Sequence, residues 1–304
     1  MTDATSPTLQ PTPPWDWYTD PAHFERERAL VLRTGWHHVG PLAQLNAPGQ
    51  ATTVTIAGMS IVIVADEHGA IRAFPHKASR PAPSTDELPS ATWGPMLFVK
   101  PSHDGPDFET VMGPLMAEIG RRVDMSSLVP VESENYLVQS NWKVLVENFN
   151  ECYHCAIAHP GFNKVVHTNT RYEVERLGTY CVGHKVRLRA DPDNMYYFAY
   201  AWPVFGLGVT PDCTGIGIIS IQPETAETVT YARQLYRSAD VEHKPLLSEF
   251  SENLVQQDID LCEMVQRGLR NHAYVAGGVV ESREQAILVF HELVNAHMLE
   301  GSLP

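Results

Sequence analysis

Hydrophobic and polar residues alternate over much of the first third of the chain, which predicts β-strands. The stretches ATTVTIAG (51–58) and MSIVIVADEHGAIRAF (59–74) follow a period of two, with a turn at His68-Gly69. MLFVK (96–100) predicts a further short strand. From residue 105 to 124 the period lengthens to that of a helix, and one face carries Phe108, Val111, Leu115 and Ile119.

A second unit begins near residue 128. The stretch 134–157 predicts a strand that leads into a helix, and this helix should end at His159-Pro160 because the residue before a proline avoids the α conformation. Several strand-like runs follow within 172–236, and two helices close the chain. The order predicts an α+β protein with a flexible tail (1–18), a helix and β domain (19–127) and a second domain (128–304).

Composition and charge narrow the class of protein. Of 304 residues, 43% are hydrophobic and 19% are charged, which is typical of a globular protein. The net charge of −14 and the lack of a Lys/Arg-rich stripe argue against nucleic-acid binding. No apolar run would span a membrane, and the N-terminus lacks a signal-peptide pattern, so we expect a cytoplasmic protein.

The stretch ENFNECYHCAIAHP (147–160) contains the first two of the five cysteines. Cys152 and Cys155 have the C-x-x-C spacing of zinc and redox sites, but no second pair completes a zinc site. An odd number of cysteines in a large cytoplasmic chain also argues against a disulfide framework. We therefore expect both to be small apolar residues on a buried helix.

The two histidines of this stretch, His154 and His159, are better candidates for metal binding. Five residues correspond to about 140° of rotation on a helix, so the two share a face only if the helix ends between them. Two histidines and one carboxylate with open coordination positions form the facial triad of non-haem Fe(II) oxygenases. The spacing leaves the carboxylate open among three acids of the penultimate helix: Asp258, Asp260 and Glu263.

The segment NWKVLVENFNECYHCAIAHP (141–160) resembles the iron-site segment of Rieske non-haem iron oxygenase α subunits. It is most similar to the branch that acts on quaternary ammonium and betaine-like substrates. The resemblance continues in QDIDLCEMVQRGL (257–269) and SREQAILVFHELV (282–294), and in residues 17–40 and 92–101. It therefore covers most of the chain.

The resemblance implies a role for each matching residue. His154 and His159 would be the iron histidines, and Asp258 the carboxylate ligand. Glu151 would be the carboxylate that connects an iron histidine to a Rieske-cluster histidine of a neighbouring subunit, and Asn148 a pocket residue near the iron. The implied cofactor is one mononuclear Fe(II), with O2 as co-substrate, in a catalytic domain whose antiparallel sheet is flanked by helices in a helix-grip arrangement.

One departure from the family concerns the Rieske cluster. A Rieske 2Fe–2S centre needs two cysteines and two histidines, yet residues 1–150 contain no cysteine. IRAF (71–74) and TWGP (92–95) match positions on either side of the family's cluster loops, and His76 is the only candidate ligand left between them. We therefore expect a remnant antiparallel Rieske-like β domain without a 2Fe–2S cluster.

Three hypotheses follow for the source of electrons. The chain is a catalytic subunit served by a cluster-bearing homologous subunit or a reductase or ferredoxin, in a trimeric or hetero-oligomeric ring. Alternatively, it is an iron dioxygenase that takes every electron from its substrate, or a non-catalytic subunit. A complete iron site argues against the last. The branch resemblance favours N-demethylation or hydroxylation of a small amine or betaine. Alternate aromatic residues in a strand are usually core, which we expect of most of the six aromatic candidates for a cation-binding pocket: Tyr196, Tyr197, Phe198, Tyr200, Trp202 and Phe205.

Overall fold

The computed structural model describes residues 9–76, 86–168, 172–241, 248–271 and 277–299. The helices are α1 (Pro21–Glu27), α2 (Phe108–Gly120), α3 (Trp142–Phe149), α4 (Cys155–Ala158), α5 (Pro160–Val165), α6 (Ser248–Arg270) and α7 (Gln285–Leu299). The strands are β1 (Leu9–Pro11), β2 (His37–Pro41), β3 (Ala51–Ile56), β4 (Met59–Ala65), β5 (Ile71–Pro75), β6 (Ser90–Trp93), β7 (Met96–Val99), β8 (Leu128–Val138), β9 (Tyr172–Leu177), β10 (Cys181–Arg187), β11 (Met195–Ala201), β12 (Phe205–Val209), β13 (Gly215–Thr225), β14 (Thr228–Ser238) and β15 (Gly278–Val280). No helix among these residues is long and apolar enough to cross a bilayer.

The N-terminal half contains two three-stranded antiparallel sheets, with strand orders β2-β7-β6 and β3-β4-β5. The predicted strands are present, and the predicted turn at His68-Gly69 joins β4 to β5. A second turn, between β3 and β4, places Ala57 and Gly58 at positive φ, as a two-residue hairpin turn of matching twist requires. An isolated bridge joins Ala73 to Leu88, so the chain leaves β5 and returns beside it before β6.

The C-terminal half is organised by a seven-stranded antiparallel sheet of order β8-β14-β13-β12-β11-β10-β9. Among the helices that carry the site, α3 packs against β13 of this sheet and also contacts α6. Mixed helices and antiparallel sheets confirm the predicted α+β class. The two halves share one hydrophobic core: the rings of Phe98 on β7 and Phe205 on β12 lie 5.3 Å apart.

Residues 9–18 do not form the predicted flexible tail. β1 pairs antiparallel with β15, and residues 15–18 form a 3₁₀ helix whose Tyr18 is 4% exposed. The prediction is wrong here because aromatic residues in a Thr/Pro-rich stretch gain more from burial than the chain loses in entropy. Residues 1–8 lie outside the described residues.

A buried ion pair ties α1 to α3. The Lys143 ammonium donates to the Glu27 carboxylate at 2.6 Å and to the Trp17 carbonyl at 2.8 Å, and the Trp142 indole donates to Glu27 at 2.8 Å. Both charged side chains are fully buried. Burial raises the pKa of the Glu27 carboxyl, but Lys143 and the hydrogen bonds outweigh this and leave the pKa below its ordinary value.

Replacing one partner of this pair should destabilise the protein strongly. We expect Lys143→Met to lower the free energy of unfolding by about 3–5 kcal/mol, because it leaves the Glu27 carboxylate buried without its ammonium partner. Denaturant unfolding measures the loss. The double variant Glu27→Gln/Lys143→Met buries no unpaired charge and should be more stable than the single one. A single variant as stable as the unaltered protein would contradict the ion pair.

Candidate metal centre

The two candidate histidines each lie at a break in the helix, whereas the sequence predicted a single break, at His159-Pro160. α3 ends at Phe149, a turn follows, and α4 begins directly after His154. His159 separates α4 from α5, with φ −117° and ψ 68°, and Pro160 occupies the first position of α5. The proline stop predicted from the sequence is present, and the extra break lets both rings turn to one point.

The structure brings His154 and His159 together with Asp258, which lies on α6 about a hundred residues away. The two Nε2 atoms are 3.2 Å apart. The Asp258 Oδ1 atom lies 3.3 Å from His154 Nε2 and 2.9 Å from His159 Nε2. One face of an octahedron with bonds of about 2.1 Å has edges of about 3.0 Å. The two nitrogens and one oxygen therefore fit an iron facial triad.

The other two acids of α6 point elsewhere. Asp260 is exposed and accepts a hydrogen bond from Gln256 at 2.9 Å. Glu263 accepts one from the Gln139 backbone N–H at 3.0 Å. Of the three carboxylates that the spacing left open, only Asp258 meets the histidines.

Each of the three donor residues is held by a hydrogen-bonding partner. Glu151 accepts from His154 Nδ1 and from two backbone N–H groups of its own turn. Gln257 Oε1 lies 2.8 Å from His159 Nδ1, and Asn148 Nδ2 donates to Asp258 Oδ1 at 2.8 Å. With Nδ1 protonated on each ring, both Nε2 lone pairs face the common centre, the arrangement that fixes a metal-binding tautomer.

The electrostatics of the cluster favour a cation. Burial lowers the pKa of His154, but hydrogen bonds to Asp258 and Glu151 outweigh it and raise that pKa to about 9. Burial also lowers the pKa of His159, but the hydrogen bond to Asp258 outweighs burial, and the pKa is raised. Burial raises the pKa of Asp258, yet its bonds to both histidines leave it lowered. The metal-free cluster thus gathers protons that a bound dication would displace.

A cavity of about 230 Å³ opens onto these donors. Among the six predicted aromatic residues, only Tyr196 and Phe198 line it, and their rings stack at 5.8 Å. Tyr197 lies on the opposite face of β11, where its hydroxyl donates to Glu175. Four aromatic residues that the sequence analysis missed also line the cavity: Phe149, Phe162, Tyr172 and Tyr231.

Tyr200, Trp202 and Phe205, the other predicted aromatics, are not part of the cavity. Tyr200 and Trp202 pack against Phe290 of α7, with ring centroids about 6.0 Å away in each case. Phe205 packs against Phe98 in the core. The expectation that most of the six aromatics belong to the core is confirmed for these three, because α7 and the N-terminal sheet cover this end of β11 and β12.

A buried polar chain forms one wall of the cavity. The Tyr172 hydroxyl lies 2.6 Å from His184 Nδ1, and His184 Nε2 lies 3.3 Å from Asn150 Oδ1. Burial lowers the pKa of His184 to about 4, so its ring is neutral. Tyr172 then donates to Nδ1, and Nε2–H donates to the amide oxygen. The register of β9 against β10 brings Tyr172 and His184 together, and the end of α3 adds Asn150, so the sequence carries no local signal for this chain of contacts.

Cys152 and Cys155 are joined by a disulfide, which corrects the prediction of two unlinked cysteines on a helix. They lie in the turn between α3 and the start of α4, where their Cα atoms are 5.0 Å apart. Both are buried, line the cavity and pack in a small apolar cluster with Phe162, Val166 and Val186. The C-x-x-C spacing is visible in the sequence, but it does not predict the break in the helix that lets the two sulfur atoms meet.

The chain is similar in sequence to known proteins over most of its length. It is 24% identical to the carnitine monooxygenase oxygenase subunit of Acinetobacter pittii, over 96% of both chains. It is 22% identical to the chloroplastic choline monooxygenase of Atriplex hortensis, over 92% of this chain and 76% of that protein.

Solved structures share the fold. The quaternary ammonium Rieske monooxygenase CntA with L-carnitine superposes with a TM-score of 0.81 at 21% identity, over 95% of this chain and 96% of that one. Naphthalene 1,2-dioxygenase from Rhodococcus gives 0.74 at 13% identity, over 96% and 95%.

The model of the family described as ring hydroxylating alpha subunit (catalytic domain) matches residues 125–202 and 178–300. These two matches include β8 to α7 and therefore the whole donor cluster. They confirm the resemblance to Rieske oxygenase α subunits. This chain belongs to the ring hydroxylating alpha subunit family of non-haem iron oxygenases.

Proposed function

We propose that this protein is the iron-bearing catalytic subunit of an oxygenase that N-demethylates or hydroxylates a small quaternary ammonium or betaine substrate. Its electrons come from a Rieske centre on another polypeptide. The observation that carries the proposal is the triangle of His154, His159 and Asp258 donors, with Glu151 behind one histidine.

The three donors would hold one Fe(II), and bound iron would supply the activation of O2. The residues of the chain itself do the rest. Gln257 and Glu151 orient the two imidazoles, and Asn148 holds the Asp258 carboxylate through Oδ1. Mainly apolar side chains line the cavity that would hold the substrate.

The lack of cysteines before Cys152 supports an external source of electrons, because no Rieske centre forms without cysteine ligands. The alignment with the Acinetobacter subunit supports it too. That alignment spans 357 positions but includes 96% of the 304 residues here, so tens of its positions face a gap in this chain. Residues 77–85, where part of the cluster segment would have been, lie outside the described residues.

Glu151 supports delivery of the electron from a neighbouring protein. Its carboxylate contacts His154 Nδ1, and its side chain is 14% exposed. Tyr153, two residues further along the chain, is 58% exposed to solvent. A carboxylate that touches an iron histidine on one side and the protein surface on the other is suited to receive a partner's cluster histidine. We propose assembly with such a partner in a trimeric or mixed ring, in the cytoplasm.

The aromatic cavity supports a quaternary ammonium substrate. Faces of aromatic rings attract such cations, by about 0.5–2 kcal/mol per contact, and Tyr196, Phe198 and Tyr172 supply these rings. The named relatives act on choline and carnitine, and the CntA structures hold L-carnitine and gamma-butyrobetaine.

Removing one ring should weaken binding of the cation. We expect Tyr196→Leu to raise KM for the quaternary ammonium substrate by about 2- to 30-fold, the equivalent of one cation–π contact, with a smaller effect on kcat. Steady-state kinetics measure both. Tyr197→Phe, on the other face of β11, should leave KM unchanged. An equal loss of affinity for the neutral tert-butyl analogue would contradict the cation–π contact.

Reconstitution tests the function. The iron-loaded protein is incubated with carnitine, choline or glycine betaine, O2 and NADH, with or without a cluster-bearing homologue and its reductase. Formaldehyde and oxygenated products are then measured. We expect product only when the cluster-bearing partner is present. Product without any donor would favour the dioxygenase alternative, and no product with any native partner would favour a non-catalytic subunit.

A further inference from the structure

The Cys155 sulfur lies beside the two candidate metal histidines. Its Sγ atom is 3.9 Å from His154 Nε2, and the donor atoms of His154, Cys155 and His159 all lie within 4.8 Å of one another. A tetrahedral site with Zn–S of about 2.3 Å and Zn–N of about 2.0 Å places sulfur and nitrogen about 3.5 Å apart. The spacing therefore suits a Cys/His metal site that shares both histidines with the iron triad.

The disulfide decides whether this sulfur is a ligand. A thiolate binds metals strongly, whereas the sulfur of a disulfide carries no negative charge to donate. Thiolate ligands shift the preference of a site toward Zn²⁺, while imidazole with carboxylate suits Fe(II). One redox change at Cys152 and Cys155 would thus change which metal the histidines prefer.

We propose that the Cys152–Cys155 pair controls metal choice at this centre. As a disulfide it leaves His154, His159 and Asp258 to hold iron. A dithiol or phosphine reductant transfers two electrons to the S–S bond, which breaks as two protons are taken up to give two thiols. The Cys155 thiol then loses its proton to solvent as its sulfur binds a thiophilic dication together with both histidines. The inference rests on the proposed metal centre and adds a second ligand set to it.

The local structure allows Cys155 to act without unfolding. Cys155 begins α4, and its backbone N–H donates to the Cys152 carbonyl at 3.3 Å, so the turn has support besides the disulfide. The ring of its neighbour His154 is held by Glu151, and the His154 backbone carbonyl accepts hydrogen bonds from the N–H groups of Ile157 and Ala158. Rotation of one side chain is enough to move the sulfur toward the ring nitrogens.

Cobalt titration tests the inference on the full-length metal-free protein. Tetrahedral Co²⁺ gives visible d–d bands with any ligands and a near-ultraviolet charge-transfer band only with thiolate. We expect weak visible d–d bands from the six-coordinate triad in the disulfide form, and intense tetrahedral bands with the charge-transfer band only after reduction with the phosphine TCEP. Cys152→Ser should show the band without reductant, because Cys155 is then free. Cys155→Ser should lack it in either state.

The outcomes separate this inference from the metal centre itself. Visible bands without a charge-transfer band, in reduced protein and in Cys152→Ser, would overturn the redox control while the metal centre stands. A charge-transfer band that persists in Cys155→Ser would also overturn it. No Co²⁺ bands in any form would overturn the metal centre on which it rests. Circular dichroism of each variant confirms that it is folded.

Discussion

Replacing Asp258 by alanine should give a folded protein that holds almost no iron and does not turn over substrate. The carboxylate is the one donor that α6 contributes, and its Oδ1 atom lies 2.9 Å and 3.3 Å from the two histidine nitrogens. Removing an outer partner of a ligand costs roughly 10–100-fold in metal affinity. Removing the ligand itself should cost more.

Iron per chain after desalting, together with product formation, measures this loss. Asp260→Ala is the matched control, because Asp260 lies two residues further along the same helix and is exposed. It should keep iron and activity. Full iron occupancy in Asp258→Ala would show that a different set of donors holds the metal.

Replacing Glu151 by glutamine should leave iron bound but abolish turnover that depends on the reductase. The amide oxygen of glutamine still accepts from His154 Nδ1, so the ligand keeps its orientation. The amide lacks the charge that would hold a partner's protonated cluster histidine on the other side. The expected loss is therefore in electron delivery and not in the iron site.

Two assays distinguish these steps. Product formation with NADH, reductase and cluster-bearing partner should be lost in Glu151→Gln. Hydrogen peroxide supplies both the oxygen and the electrons that the reaction needs, without reductase or partner. Product formation driven by peroxide should therefore persist in Glu151→Gln. Reductase-coupled turnover equal to that of the unaltered protein would assign Glu151 only to orienting His154.

The sequence predicted most of what is encoded locally. The turn at His68-Gly69 between β4 and β5, the apolar face of α2 and the helix stop before Pro160 follow from period, turn chemistry and the geometry of proline. The link between His159 and Asp258 spans 99 residues. Spacing alone left three acids open there, and the family resemblance selected the one that the structure brings to the histidines.

The remaining features depend on packing between distant segments. The Tyr172–His184 contact needs the register of β9 against β10, and the pairing of β1 with β15 needs the two ends of the chain to meet. Alternation along β11 places Tyr196 and Tyr197 on opposite faces of the sheet. Which side is the cavity became clear only from the helices that cover the sheet.

The buried pair of Glu27 and Lys143 shows how the N-terminal segment stabilises the site. Lys143 lies in the first turn of α3, and Asn148, which holds Asp258, lies in its last. The pair therefore fixes the start of the helix whose end leads into the metal centre. This connection was absent from the sequence analysis because charged residues are rarely buried unless they are paired.

The central claim is that this chain holds a mononuclear iron site and no Rieske centre of its own. Iron and acid-labile sulfide, measured on the same protein purified without added reductant, test it most directly. We predict about one iron per chain, the load of a single facial triad, and no sulfide. Stoichiometric sulfide with additional iron, or zinc in place of iron together with hydrolase activity, would contradict the account.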